Sequence, residues 1–148
     1  MKSAVPSFLG PHHLAFSVTD RVASAKWYRD VLGFRFVREF DTGIPRILQM
    51  HEDSGFFVSL YDHPDRTADR FDPRRTGLDH LALELADDDQ LSAWVQHLDA
   101  LGVNHSSVHD LGHAHFVSLE DPDGIQIELW FQIVPFHPAD RFETSANG

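Results

Sequence analysis

The chain has 148 residues, 42% of them hydrophobic, and a formal net charge of -11 at pH 7. This length allows one domain, or two small halves that share a core, and the negative charge argues against a surface for nucleic acids or anionic membranes. Because the chain contains no cysteine, disulfides, thiolate nucleophiles and sulfur-ligated zinc sites are excluded.

The amino-terminal residues, MKSAVPSFLGPHH, do not resemble a secretion signal, since they contain one lysine and no apolar stretch of the required length. No run of about 18 apolar residues, the length of a membrane-spanning helix, occurs in the sequence. We therefore expect a cytoplasmic protein whose partner is a small molecule, with no nucleic-acid or membrane partner.

The first half predicts a strand, a helix and three short strands. Apolar and polar residues alternate in HHLAFSVT (12–19), as in a half-buried strand. DRVASAKWYRDVLG (20–33) begins at the N-cap residue Asp20 and ends at a glycine, as a helix does. The last strand of this half is GFFVSLYD (55–62). In the connector HPDRTADRFDPRRTG (63–77) arginines alternate with aspartates, which is typical of a solvated linker.

The second half repeats this order of elements. The predicted elements are a strand in GLDHLALEL (77–85), a helix from near Asp88 to Leu101, and strands near 103–108, 113–120 and 124–131. Pro122 and Gly124 in EDPDG (120–124) mark a hairpin turn before the last strand. Residues 132–148 contain two prolines and become less hydrophobic, which predicts an extended carboxy-terminal arm.

An internal repeat relates the two halves. A shift of 69 positions aligns Leu60 with Leu129, and a shift of 67 aligns the two first strands. Each half is thus a βαβββ unit. We expect an α+β fold of two tandem βαβββ modules, at about 12–62 and 78–131, within a single domain spanning 1–148. The modules are expected to form a curved, partly closed mixed sheet with the helices outside.

Side chains of a strand alternate between its two faces, which separates core residues from site residues. The apolar rows of the first strands are expected to pack under helix residues, namely Val22, Ala25, Trp27 and Val31 in one module and Leu91, Trp94, Val95 and Leu98 in the other. The opposite faces carry His13 and His80 on the first strands, and Ser59 and Glu128 on the last strands. If the sheets curve about a common pseudo-two-fold axis, these four side chains converge. Two imidazoles and one carboxylate are a ligand set for Fe, Mn, Ni, Co or Zn.

Four segments, HHLAFSV, WYRDVLGF, GLDHLALEL and EDPDGIQIELW, resemble the vicinal oxygen chelate superfamily. That superfamily includes glyoxalase I, extradiol dioxygenases, fosfomycin-resistance transferases and bleomycin-binding proteins, and the resemblance covers about residues 12–131. It implies one divalent metal ion per site, held by His13, His80 and Glu128. It also implies a homodimer, in which the carboxy-terminal arm covers the other subunit, and a site formed by the modules of one chain or of two chains.

The sequence departs from the pattern of each enzyme branch. Glyoxalase I commonly has a carboxylate or another ligand at the position of Ser59, and a serine is a poor base and a poor ligand for a divalent metal. Many extradiol dioxygenases carry a tyrosine at the position of Ser118. Fosfomycin transferases usually have a threonine where Ala15 stands and a loop rich in serine and lysine where VHDLGHAH (108–115) stands.

The remaining residues of the expected site have roles in proton transfer or in substrate binding. The candidate catalytic residues are His115, Tyr61 and Glu84, and the candidate substrate contacts are Phe57, Ser59, Trp130 and Arg46. The resemblance implies a metal-dependent enzyme, either dioxygenase-like or a glyoxalase-like lyase or isomerase, whose small substrate chelates the metal through vicinal oxygens. The alternative is a metal-free protein that sequesters a drug or metabolite, as bleomycin-binding proteins do.

Overall fold

The computed structural model describes residues 5–67 and 69–136. The chain divides into two compact units between Arg70 and Phe71, inside the predicted linker. Each unit contains one helix and one mixed sheet of four strands. The predicted α+β fold of two βαβββ modules is therefore confirmed.

The first unit contains strands β1 (His13–Ser17), β2 (Arg35–Phe40), β3 (Arg46–His51) and β4 (Phe56–Tyr61), and helix α1 (Arg21–Leu32). Its sheet has the order β1-β4-β3-β2. β1 runs parallel to β4, and the other pairs are antiparallel. The helix packs on one face of this sheet through contacts with β2, β3 and β4. The other face is left open within the unit.

The second unit contains strands β5 (Leu81–Glu84), β6 (His109–Asp110), β7 (Ala114–Glu120) and β8 (Gln126–Gln132), and helix α2 (Asp88–Leu101). Its sheet has the equivalent order β5-β8-β7-β6. The strand predicted at 103–108 is wrong, because the regular strand is confined to β6. The Ser106 hydroxyl accepts a hydrogen bond from the Ser118 backbone N–H at 2.9 Å, so a side chain takes the place of a ladder carbonyl.

The helix ends follow the sequence signals. The Asp20 carboxylate accepts hydrogen bonds from the backbone N–H groups of Val22 and Ala23, both at 2.9 Å, which confirms it as the N-cap of α1. Gly33 ends the helix at φ 77°, a conformation that costs a glycine little. In α2, Asp87 caps the amino terminus by accepting a hydrogen bond from the Gln90 N–H at 2.8 Å.

The core face of α1 differs in part from the predicted one. Ala25 and Val31 are buried as expected, but the Val22 side chain is 61% exposed, so its assignment to the core is wrong. Arg21 makes the contacts of this first turn instead, through ion pairs with Glu39 and Asp62. Tyr28, which is fully buried, supplies the apolar volume that Val22 does not. The first turn of α1 is thus stabilised by its N-cap and by these ion pairs, and not by burial of an apolar side chain.

The end of the chain is described only in part. Residues 133–136 are exposed, and residues 137–148 of the predicted carboxy-terminal arm lie outside the described residues. Among the helices of the described ranges, none is long and apolar enough to cross a membrane.

Candidate functional site

The open face of the second unit brings Glu128 and His80 together. Glu128 is paired with Ala82 on β5 and with Ser118 on β7, so all three side chains lie on the face away from α2. Its neighbours in sequence, Ile127 and Leu129, are buried in the core. His80 directly precedes β5, and its Nε2 lies 3.4 Å from Oε2 of Glu128.

The environment of this pair suits a metal ion. Oε2 of Glu128 is buried and accepts no hydrogen bond from the described residues. Nδ1 of His80 lies 2.6 Å from Oδ1 of Asp79. A neutral imidazole that donates its Nδ1 proton to Asp79 keeps a lone pair on Nε2, which points toward Glu128. An unpartnered carboxylate oxygen and an imidazole lone pair are the donors that a divalent transition metal prefers.

An open cleft of about 370 Å³ adjoins the pair, and its lining residues are His80, Ala82, Glu84, Trp130 and Gln132. The small side chain of Ala82 leaves this space above β5. Glu84 and Trp130, both predicted from the sequence as site residues, face each other across the β5–β8 pairing. The cleft thus combines an imidazole, an exposed carboxylate and an indole ring.

Three ring-bearing residues on neighbouring strands form an aromatic row on the open face of the second unit. Trp130 pairs with Phe116, which pairs with His109. The rings are stacked, with centroids 5.0 Å apart for Trp130 and Phe116 and 4.7 Å apart for Phe116 and His109. Nε1 of Trp130 donates a hydrogen bond to the Gln132 amide oxygen at 2.9 Å, which fixes the orientation of the indole.

His115 lies on the other face of the sheet, where it belongs to the helix side with Val117 and Leu119. Its Nδ1 lies 2.7 Å from Oδ1 of Asp88, in the first turn of α2. The hydrogen bond to Asp88 is the main cause that raises the pKa of His115 above its usual value. The structure therefore does not bring His115 together with His80 and Glu128.

The misplacement of His115 has a simple cause in the repeat. Leu48 pairs with Ser59 in the first unit, and Ser118 pairs with Glu128 in the second. Corresponding residues of the two units therefore lie 69 positions apart in the last strand, as Ser59 and Glu128 do, but 70 positions apart in the strand before it, as Leu48 and Ser118 do. The shift of 69 that aligns Leu60 with Leu129 also aligns His115 with Arg46, and an error of one residue moves a side chain to the opposite face.

In the first unit, the predicted site residues share the open face of the sheet. His13 pairs with Phe57, and Ser59 occupies the next row of the same face and is 4% exposed. Nδ1 of His13 lies 2.9 Å from Nδ1 of His12, so one of the two imidazoles donates and the other accepts. The His12 ring stacks on Phe57, with centroids 5.9 Å apart.

Arg46 and Tyr61 occupy the row at the other end of this face. The guanidinium of Arg46 lies 4.2 Å from the centre of the Phe40 ring and 5.4 Å from that of Tyr61. Both residues were candidates from the sequence, whereas Phe40 was not. Strand alternation places Phe40 on this face, but the pairing of β2 with β3 was needed to bring it next to Arg46.

The predicted ligands are divided between the two units, with His13 in the first and His80 and Glu128 in the second. Within residues 5–67 and 69–136, no group of three or more histidine, aspartate or glutamate side chains has the arrangement of a metal site. What the second unit provides is the pair of His80 and Glu128, with Asp79 behind the imidazole. Asp79 was missed as a functional residue, although it directly precedes a predicted ligand.

Comparisons with known proteins agree with this fold. Residues 10–129 match the model of the Glyoxalase/Bleomycin resistance protein/Dioxygenase superfamily. The chain is 28% identical over 127 residues to an uncharacterized protein, YaeR, of Escherichia coli, and the match covers 82% of this chain and 95% of that protein.

Two solved structures illustrate the structural similarity. A glyoxylase/bleomycin resistance protein/dioxygenase domain from Frankia sp. has a TM-score of 0.78 at 23% identity, covering 85% of this chain and 99% of that one. A fosfomycin resistance protein from Listeria monocytogenes, solved with Mn(II) and a dihydroxypropylphosphonic acid, has a TM-score of 0.63 at 12% identity, covering 88% and 94%. At these identities the similarity shows the fold alone.

Proposed function

The chain belongs to the glyoxalase/bleomycin resistance protein/dioxygenase superfamily, and on that premise we propose that it is a metal-dependent enzyme. Its substrate is a small molecule that chelates a divalent metal through two vicinal oxygens. The observation that carries this proposal is the buried Oε2 of Glu128, which accepts no hydrogen bond from the described residues and lies 3.4 Å from Nε2 of His80. A buried carboxylate oxygen that accepts no hydrogen bond is costly for a fold, and a bound cation offsets that cost.

The proposed ligands are His80, Glu128 and His13. His80 and Glu128 are supported by their geometry, whereas His13 rests on the superfamily pattern. Fe, Mn, Zn, Ni and Co all suit two imidazoles and one carboxylate. The Mn(II) present in the Listeria relative supports a divalent ion in this fold. When bound, such an ion supplies Lewis-acid stabilisation of negative charge that develops on the substrate oxygens.

The protein side chains of the cleft bind the substrate and move its proton in this proposal. Glu84, an exposed carboxylate of the cleft wall, accepts a proton from the substrate. Trp130 excludes water from one side and packs against the apolar part of the substrate. His115 has no part in this step because it faces α2 and is held by Asp88. Tyr61, on the first unit, is a second candidate for proton transfer.

The absence of a base at Ser59 favours a reaction other than that of classical glyoxalase I. A serine cannot act as the second base that an isomerisation between two carbons requires. The reaction classes that we propose to test are therefore oxygenation of a catechol-type substrate and addition to a small electrophile, with isomerisation of a hemithioacetal as the comparison.

The test is an activity screen with the full chain, stripped by a chelator and reconstituted separately with Fe(II), Mn(II), Zn(II), Ni(II) and Co(II). Turnover that requires one of these ions, and that is lost in Glu128→Gln, supports the proposal. Glu84→Gln is the matched variant, since it should retain the metal but lose most of the turnover. Ligand binding that is equally tight with and without chelator, with no turnover under any condition, identifies a metal-free binding protein instead.

A further inference from the structure

Two arginines on the open face of the first unit contact the same aromatic ring, that of Phe40. Arg38 and Phe40 lie two residues apart on β2, and Arg46 pairs with Phe40 from β3. The guanidinium carbon of Arg38 lies 5.0 Å from the centre of the Phe40 ring, and that of Arg46 lies 4.2 Å from it. The ring thus makes cation–π contacts with both guanidinium groups.

Neither guanidinium has a carboxylate partner among the described residues. Five other arginines each form an ion pair within 4 Å of an aspartate or glutamate: Arg21, Arg29, Arg35, Arg66 and Arg74. Glu39, which lies between Arg38 and Phe40 in sequence, points to the helix face and pairs with Arg21 at 3.0 Å. The chain has a net charge of -11, so carboxylates outnumber cationic side chains. Arg38 and Arg46 nevertheless differ from these five arginines in having no carboxylate partner among the described residues.

A third donor adjoins this pair of arginines. Tyr61 lies next to Arg46 in the same cross-strand row, with its ring centre 5.4 Å from the guanidinium carbon. The phenol group of Tyr61 makes no hydrogen bond with any other residue in the described part of the chain. Arg46 uses one N–H to bind the Ile44 carbonyl at 3.2 Å, so its remaining N–H groups are available to a ligand.

We propose that Arg38, Arg46 and Tyr61 form a binding site for a dianionic tetrahedral oxyanion, such as a phosphate group. Two fixed positive charges match a dianion, and guanidinium forks bind phosphate oxygens in pairs. A carboxylate carries one charge and two oxygens, and it would satisfy only one of the two forks. The unpaired charges therefore favour a phosphate-type group over a carboxylate. None of these three residues is among the proposed metal ligands His13, His80 and Glu128.

The test is calorimetric titration of the full chain with inorganic phosphate near pH 8, where phosphate is mainly dianionic. The protein is kept in chelator, so the result does not depend on metal binding, and ionic strength is held constant because exposed charges are screened by salt. We expect saturable binding of one phosphate per chain. Arg38→Gln and Arg46→Gln should each weaken it about tenfold or more, the usual effect of losing a charge-assisted hydrogen bond.

Arg29→Gln is the matched control, because it removes the same charge from an exposed position on α1. Phosphate affinity that is unchanged in Arg29→Gln but lowered in both site variants supports the site, provided that all three unfold at the same temperature. Tighter binding of phenyl phosphate than of inorganic phosphate would identify the group as part of an organic ligand, and equal binding would identify the free anion. No saturable binding, an equal loss in Arg29→Gln, or acetate binding as tightly as phosphate would overturn the proposal.

Discussion

Oδ1 of Asp79 lies 2.6 Å from Nδ1 of His80, on the side of the imidazole ring away from Glu128. This contact selects the tautomer with the proton on Nδ1, so that Nε2 presents its lone pair to the position that a metal would occupy. In the first unit the equivalent neighbour of His13 is His12, which has no negative charge. The two predicted imidazole ligands thus differ in what orients them.

The first prediction concerns this orienting contact. Asp79→Asn should weaken binding of Mn(II) by about 10 to 100-fold, the usual effect of losing a carboxylate behind a ligating histidine. The amide of asparagine can accept from Nδ1 or donate to it, so it no longer fixes the tautomer. Metal affinity is measured by calorimetry, and the tautomer of His80 by ¹⁵N NMR at a pH where the ring is neutral. Unchanged ¹⁵N shifts in Asp79→Asn would show that Asp79 does not orient the ring.

The second prediction concerns the unpartnered oxygen of Glu128. In chelator, the unfolding free energy of Glu128→Gln should equal or exceed that of the natural chain, because a buried charged oxygen that accepts no hydrogen bond destabilises the fold. With metal at about 100 times its Kd, the natural chain should gain about 2.7 kcal/mol of unfolding free energy. That gain should be absent from Glu128→Gln and present in Glu84→Gln. Urea denaturation with and without metal measures all of these quantities.

The third prediction concerns the pH dependence of stability. The hydrogen bond that the His115 ring donates to Asp88 raises the pKa of His115, and the second nearby carboxylate, Asp110, acts in the same direction. The protonated ring therefore stabilises the fold below the unfolded pKa of about 6.5. This contribution is lost as the pH rises through the higher folded pKa.

Asp88→Asn should bring the pKa of His115 down and flatten the decline in unfolding free energy above about pH 6.5. NMR titration of the His115 ring and urea denaturation at several pH values measure these effects. Asp89→Asn, in the same exposed first turn of α2, is the control for helix-terminus electrostatics. If both variants have the same pH profile, the contact with Asp88 does not control stability.

The fourth prediction concerns the hairpin that carries Glu128. The buried side chain of Asp121 accepts hydrogen bonds from the backbone N–H groups of Asp123 and Ile125, both at 2.9 Å. Asp121→Ala leaves these groups without that partner and should lower the unfolding free energy by about 2 to 4 kcal/mol. Asp110→Ala removes a similar bond to the Gly112 N–H in an exposed turn, and should cost less than about 1 kcal/mol. Equal losses would show that burial does not strengthen the Asp121 turn.

Strand alternation predicted the open face correctly wherever the strand itself was correctly aligned. His80 and Glu128 were expected on one face, and their 3.4 Å separation follows from the pairing of β5 with β8. Alternation depends only on a period of two residues, so it needs no knowledge of distant contacts. The N-cap of α1 at Asp20 was readable for the same reason, since an N-cap bonds to residues two or three positions away.

The failures came from features that are not local. Ten residues separate the paired Leu48 and Ser59, whereas nine separate Ser118 and Glu128. Because of this difference in turn length, His115 lies on the helix face, whereas Arg46 lies on the open face. The pairing of Phe40 with Arg46 likewise depends on the register of β2 against β3, which contains an irregularity near Arg38. Register between strands is set by tertiary packing, and one sequence does not reveal it.

The most direct test of the central claim is the metal content of anaerobically purified protein, measured by elemental mass spectrometry. We predict about one divalent transition-metal ion per chain in the natural protein, and its loss in both Glu128→Ala and His80→Ala. Asp89→Ala, an exposed acidic residue of α2, serves as the control and should retain the ion. No stoichiometric metal after reconstitution, or full retention in both ligand variants, would contradict the account.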